Sequence, residues 1–355
     1  MTSIRDVARA AGVTPVAVSR TFSAPYRIGA RTRQHILAVA QQLDYCPPLP
    51  QRWGTERRMR RSLRGHSLSA VSPSIGFQLF AETARPGDAV AANVFYAPTL
   101  AGAQAEAALF DLNVIVDTTN RHAPAWQTPP MIQEEIVRGL LVVGSCHTAV
   151  LERFAAHVPH IILIGSRDES GCYECVLSND TDAGLVATRY LLDLGHRRIG
   201  FYGGERRAAS RERLHGYVSA LFEAQEPLDL QRIVGPDSSE WDHRRLLHRL
   251  LSTPDRPTAL VAASAAAAAI AFDVCRDLGL EVPRDISLIG CDDIVLQDNL
   301  PPGLTTIHTH REWMGRLAVR CLHARLNHET LASAAAAIQH HVPVTVTIRD
   351  SCRPL

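Results

Sequence analysis

Apolar positions near the amino terminus recur with the period of a helix. Ile4, Val7, Ala8 and Ala11 share one helical face, Ser3 stands before them, Asp6 lies three residues after Ser3, and Gly12 closes the run. Ser and Asp at that spacing form a capping-box arrangement at a helix start, and a glycine suits its end. Thr14 then offers a second cap and Pro15 fills the favoured first helical position, opening a helix through Val16, Ala17, Val18, Ser19 and Arg20. A third amphipathic stretch covers residues 32–43. Two short helices joined by a tight turn and followed by a third make a helix-turn-helix pattern.

From residue 74 the pattern changes. Short β-branched runs at 74–80, 113–117, 139–143 and 161–164 alternate with helical stretches such as 100–109. That alternation predicts a parallel sheet with helices on both faces. The rhythm restarts near Val176, where Asp180 is placed to cap a helix running to Leu194, Gly195 to stop it, and residues 198–203 to return as a strand. Two lobes follow. The expected class is α/β: a three-helix head over residues 1–46, a linker over 47–73 and a body of two doubly wound α/β lobes over 74–355.

Charge divides along the same line. Residues 1–66 carry twelve Arg against Asp6, Asp44 and Glu56, a net +9, while the whole chain is only +1 and the remainder therefore −8. A footprint for a polyanion is thus confined to the head. No apolar segment follows Met1, and the longest apolar run, 259–272, is alanine-rich and too short to span a bilayer. A cytoplasmic protein with no membrane partner is expected. The eight cysteines are scattered, with one close pair at Cys172 and Cys175. A single CxxC without a second pair is weak grounds for zinc or redox chemistry, so no metal and no cofactor are expected.

The head resembles the LacI/GalR family of bacterial transcriptional regulators. The likeness runs through Ile4-Arg5-Asp6-Val7-Ala8, Ala11-Gly12-Val13-Thr14, Val18-Ser19-Arg20 and the exit Tyr45-Cys46-Pro47. It implies sequence-specific binding to double-stranded DNA at a pseudo-palindromic operator, with Pro15, Val16 and Arg20 facing base edges and Thr14, Ser19 and flanking arginines such as Arg33 holding phosphates. The chemistry agrees, since Arg presents a planar fork to guanine O6 and N7 and Val packs on a thymine methyl. Val18 reads as core. In the family a short hinge helix places a leucine in the minor groove, and Arg60-Arg61-Ser62-Leu63-Arg64 looks like it, with Leu63 as the wedge. Tyr45 and Leu63 are 18 positions apart, however, and Pro47, Pro48, Pro50 and Gly54 lie between them. A flexible basic tether without a wedge is the alternative reading.

The likeness continues through Asn93-Val94-Phe95-Tyr96, Leu194-Gly195-His196-Arg197-Arg198-Ile199, Arg211-Glu212-Arg213-Leu214-His215-Gly216-Tyr217, Gly290-Cys291-Asp292-Asp293 and Leu304-Thr305-Thr306-Ile307. It implies a periplasmic-binding-protein-like body that holds a small sugar-like effector between its lobes at the carboxyl ends of the strands. Phe95 and Tyr96 would stack on the ligand, and Arg213 and Asp292 would hydrogen-bond it, with Arg211 and Arg311 as further contacts. Each has a plainer reading: Phe95 as core, Arg211 as an exposed helix residue, Asp293 as a cap.

Two departures stand out. Where the family places an Asn-Asp pair after the strand at 259–262, this chain has Ser264-Ala265 and then more alanines, and the strand at 161–164 runs into Gly165 without an acid. After Ile307 the chain supplies His308, His310 and Arg311. A pocket poorer in acids and richer in bases favours an anionic effector such as a sugar acid or phosphate, unless the histidines pair across a dimer or sit in solvent. His340 and His341 read as exposed residues on a strand edge.

The expected function is an allosteric regulator, a repressor by type, acting as a homodimer. A ligand-binding module that has lost its response is the alternative, suggested by the alanine-filled pocket segment. An enzyme is disfavoured because no Gly-x-Ser-x-Gly elbow, phosphate loop or His-Glu-x-x-His is present.

Overall fold

The computed structural model describes residues 4–18, 32, 35–36, 39, 73–81, 86–120, 128–168, 170–203, 208–235, 240–292, 303–327 and 338–355. The chain forms two compact units, Met1–Val71 and Ser72–Leu355.

In the first unit α1 spans Ile4–Ala10. Gly12 adopts φ +64° in the turn, a left-handed backbone that glycine enters without steric cost. The next helical turn covers residues 15–18. Thr14 caps it as expected, its Oγ1 accepting from the Ala17 amide at 3.2 Å. Residues 32, 35, 36 and 39 are helical too. Val7, Ala8, Ala11, Val18 and Ile36 form the core of this unit, so the apolar stripe of three helices closes on itself and Val18 is core, as the pattern indicates. The linker, with Arg60, Arg61, Leu63 and Arg64, lies outside the described residues.

The second unit contains two six-stranded sheets. The first has the order β11-β5-β4-β3-β1-β2, formed by β1 (Ser74–Ala81), β2 (Asn113–Asn120), β3 (Leu140–Val143), β4 (Ile161–Ile164), β5 (Glu174–Ser178) and β11 (Gln339–Val342). All its neighbours are parallel. The helices α2 (Pro86–Ala107), α3 (Pro130–Gln133) and α4 (Thr148–Ala155) connect the strands.

The second sheet has the order β12-β10-β9-β8-β6-β7. It comprises β6 (Ile199–Tyr202), β7 (Ile233–Val234), β8 (Ala259–Ala262), β9 (Ser287–Cys291), β10 (Thr305–Thr309) and β12 (Val344–Thr347), with helices α5 (Asp180–Asp193), α6 (Ala208–Glu223), α7 (Glu240–Leu251) and α8 (Ala265–Asp277). It is parallel except where β10 meets β12.

The chain passes between the sheets three times. It leaves the first lobe after β5, returns through α9 (Arg311–Leu326) to β11, and crosses again to β12. Helix α9 packs with Met314, Ala318, Val319 and Leu322 in the same core as Ile75, Phe77, Leu141 and Ile162 of the first sheet. The strands buried on both faces read as continuous apolar runs: all four residues of β3, β4, β6 and β8 are buried.

One local expectation is corrected. The cap of α5 is Asn179, which accepts from the Asp182 amide at 3.2 Å; Asp180 is the first helical residue, and its carboxylate is committed to Arg213 instead. Strand β5 begins at Glu174, two residues before Val176. Gly195 does stop α5, at φ +92°. Cys172 and Tyr173 lie in a loop that leads into β5, which holds Cys175; the loop is organised by the buried Asp168, whose carboxylate accepts from the amides of Ser170, Cys172 and Tyr173 at 3.1, 2.6 and 2.8 Å. Cys172 is exposed and Cys175 buried, both as free thiols.

Candidate functional site

In the head, Thr14, Pro15 and Val16 stand exposed at the start of the second helix, Val16 at 57%. An apolar residue that open, two positions before the buried Val18 and so roughly on the other side of the helix, belongs to a face turned outward from the three-helix core. Ser19, Arg20 and Arg33 lie outside the described residues.

In the body, parallel strands bring the next residues of β8, β9 and β10 to one edge. Arg213 reaches that edge from α6 and is buried, at 4% exposure. Its Nε and Nη2 donate to Asp180 Oδ1 at 2.9 and 2.6 Å. Its Nη1 donates to Asp292 Oδ2 at 2.9 Å and to the Ala263 carbonyl at 2.5 Å, and Nη2 also meets Asp292 Oδ1 at 3.3 Å. These five contacts use the full donor fork of an arginine. A ligand oxygen reaching Arg213 therefore has to replace a protein acceptor.

Close helix packing makes the constellation possible. A Cβ on Gly184 would stand 1.8 Å from the Arg213 carbonyl oxygen, so only glycine lets α5 approach α6 closely enough to set Asp180 against Arg213. Asp292 holds a left-handed backbone, φ +69°, at some steric cost for a residue with a side chain. Thr309 Oγ1 donates to Asp292 Oδ1 at 3.3 Å, and Arg311 Nη2 lies 3.7 Å from the same oxygen. Burial opposes the charge on each member, yet opposite charges prevail. Asp292 and Asp180 hold the Arg213 pKa well above its ordinary value, and Arg213 and Arg311 draw that of Asp292 below the usual carboxylate range.

Thr309 and Arg311 also line a cavity of about 490 Å³ together with Pro98, His308, His310, Trp313 and Arg316. The two imidazoles meet edge to face with centroids 4.5 Å apart. Glu312 is the single acid of the lining, and it is paired with Arg316 at 2.9 Å. Pro98 sits inside α2, so this cavity draws on both lobes. Tyr96 is half-buried on the same helix, and a Cβ on Gly144, beyond the carboxyl end of β3, would be 3.6 Å from its hydroxyl. Phe95 lies in α2, and its side chain is outside the described residues. Arg211 is exposed in the first turn of α6, two positions from Arg213 and so on another face. Asp293 lies outside the described residues. Ser264 caps α8, its Oγ accepting from the Ala267 amide at 3.1 Å.

The structure thus brings Arg213, Asp292 and Arg311 together and leaves Arg211 apart. It adds Asp180, the Ala263 carbonyl, Thr309, Pro98, Trp313 and Arg316, which sequence reasoning did not single out. Asp180 carried a signal, an acid in the first helical turn, but caps and ion-pair partners look alike in one dimension.

Residues 3–48 match the family described as bacterial regulatory proteins, lacI family, and residues 188–352 the periplasmic binding protein-like domain. The ribose operon repressor of Haemophilus influenzae is 28% identical over 334 residues, 92% of this chain and 92% of that protein. The head of the chain belongs to the LacI family of bacterial transcription regulators. The chain's relatives include the HTH-type transcriptional repressor PurR of Escherichia coli, 29% identical over 335 residues, 92% of this chain and 91% of the relative. A LacI family transcriptional regulator from Enterococcus faecium, solved with bound ribose, shares the fold with a TM-score of 0.61 at 21% identity, over 79% of this chain and 99% of that one. Members of the family bind operator DNA and small-molecule effectors, and this chain is a DNA-binding transcription regulator of that type. Among the described residues no helix is long and apolar enough to cross a membrane.

Proposed function

We propose that this regulator is a repressor that binds a pseudo-palindromic operator as a homodimer and is controlled by an anionic sugar derivative held in its body. The head over residues 1–46 reads the major groove with Pro15, Val16 and Arg20, while Thr14, Ser19 and Arg33 hold phosphates. The linker over 47–73 carries Leu63 as a minor-groove wedge, and the body over 74–355 senses the ligand and dimerises. The regulator works in the cytoplasm, at the nucleoid.

The observation that carries the effector reading is the Arg213–Asp292–Arg311 cluster, joined through Thr309 to a cavity lined by His308, His310, Arg311 and Arg316 with one paired acid. Asp292 and Arg311 accept and donate to the polar face of the effector, Phe95 and Tyr96 cover its ring, and the imidazoles and guanidinium take its anionic group. Arg213 contributes by holding Asp292, while Arg211, on another face of its helix, takes no part. The ribose-bound neighbour and the ribose operon repressor support a sugar-like ligand. Calorimetry on the full chain with matched series of sugars, sugar acids and sugar phosphates tests this. Binding of an acid or phosphate with at least about tenfold preference over the neutral sugar is expected; tight binding of neutral sugars alone overturns the anionic reading.

A further inference from the structure

At the opposite end of the first sheet from the proposed effector site, Glu174 opens β5, His340 lies in the edge strand β11, and Cys321 faces them from α9. The three residues are far apart in sequence and form no recognisable motif. His340 Nε2 is 2.6 Å from Glu174 Oε1 and 3.5 Å from Cys321 Sγ. One ligand atom from each of the three lies within 4.8 Å of the others. His340 is therefore not the exposed edge residue that the sequence suggests: it turns toward a buried carboxylate, while its neighbour His341 is exposed.

We propose that Glu174, Cys321 and His340 form a binding site for one divalent cation of the zinc class. The donor set is one sulfur, one imidazole nitrogen and one carboxylate oxygen, the ligands that zinc takes at roughly 2.0–2.3 Å, so a span of 4.8 Å or less is close to twice one bond. Thiolate and imidazole select such a borderline cation over magnesium or calcium, which prefer oxygen.

The carboxylate is already aimed. Arg325 Nε donates to Glu174 Oε2 at 2.6 Å, which fixes the group and leaves Oε1 turned toward His340 and Cys321, as outer partners orient ligands in metal sites. Glu174 is buried, whereas the His340 side chain is 30% exposed. The ion thus has a route from solvent, and the same solvent supplies a water as fourth ligand. Binding replaces the His340–Glu174 hydrogen bond with two metal bonds, the proton on Nε2 passing to solvent, which supplies Nδ1 if that nitrogen carries none. It also exchanges the Cys321 thiol proton, released to solvent, for a metal–sulfur bond. The ion would tie β11 and α9, the two elements with which the chain returns to the first lobe, to β5.

The test uses the full chain, freed of metal by a chelator and kept reduced, titrated with Co²⁺. A thiolate-to-cobalt charge-transfer band saturating at one equivalent per chain is expected, bleached by added Zn²⁺, together with a rise in melting temperature on adding Zn²⁺. Cys321→Ser is expected to abolish the band, His340→Gln to weaken binding at least about tenfold, and Cys172→Ser, at an exposed thiol, to change neither. Should Cys321→Ser fail to fold, the half-exposed His340→Gln decides alone. Absence of the band in the wild-type chain, or unchanged affinity in His340→Gln, overturns the proposal and leaves the cluster as an ion-pair network.

Discussion

Arg213 and Asp292 meet through two hydrogen bonds, Nη1 to Oδ2 at 2.9 Å and Nη2 to Oδ1 at 3.3 Å, with both side chains almost fully removed from solvent. Removing Asp292 takes one of two carboxylates from Arg213, which keeps Asp180. Asp292→Ala therefore leaves Arg213 and Arg311 with one acid fewer between them and is expected to destabilise the body by about 1–3 kcal/mol. Asp292→Asn, which keeps an acceptor for Thr309 and Arg213, should cost less and still impair effector binding. Urea unfolding of both variants, with calorimetry on the proposed effector series, checks the order.

Gly184 sets the distance between the helices that carry this pair. A methyl there would fall 1.8 Å from the Arg213 carbonyl oxygen, and backbone cannot give way locally. Gly184→Ala is expected to cost about 1–3 kcal/mol through forced helix displacement and to weaken the effector response at temperatures where the fold survives. Unchanged stability would contradict the close approach of α5 and α6.

Much of this arrangement is legible in the sequence, and what is not has a common cause. The period of Ile4, Val7, Ala8 and Ala11, the Thr14 cap and the alternation of apolar strands with helices are local properties of the chain, and the structure repeats them. Asp180 is different. An acid at a helix start serves equally as a cap or as an ion-pair partner, and the choice is made by Gly184 bringing α6 close. Likewise Glu174, Cys321 and His340 share no spacing because three lobe crossings, not a local turn, bring β5, α9 and β11 together.

Acid stability has a specific contributor in His196. Its ring is buried and bonded to Thr258 Oγ1 at 2.9 Å, Ser287 Oγ at 3.1 Å and the Arg353 carbonyl at 3.1 Å. Burial lowers its pKa below the ordinary histidine value, outweighing the carbonyl contact that would raise it. The unfolded chain therefore binds a proton more readily than the folded one. Stability from this residue is complete above about pH 6.5 and is lost as pH falls from there through the lower folded value. The urea midpoint is expected to decline over that window, and less steeply in His196→Gln. Equal slopes in the two proteins would exclude His196 as the cause.

In the head the exposed face and the buried face separate two kinds of effect. Val16→Ala changes a residue that is 57% exposed, so folding stability should shift by no more than about 0.5 kcal/mol while preference at one base pair weakens. Arg20→Ala should relax base preference at one position of each half-site by about 1–3 kcal/mol, and Arg33→Ala should weaken binding to every sequence and flatten the salt dependence. Equal losses on specific and random DNA for Arg20→Ala would refute its role in base reading.

On the proposed function, DNA binding by this protein is sequence-specific and conditional on a small anionic ligand. The most direct measurement is a mobility shift of the full chain at fixed salt on an operator recovered by selection from random DNA, with and without sugars, sugar acids and sugar phosphates. The predicted result is a two-protomer complex on a palindromic sequence, favoured over random DNA by at least about 10³, whose affinity changes at least fivefold or so with an acid or phosphate. Equal binding to selected and random DNA, or an affinity that none of these ligands alters, would contradict it.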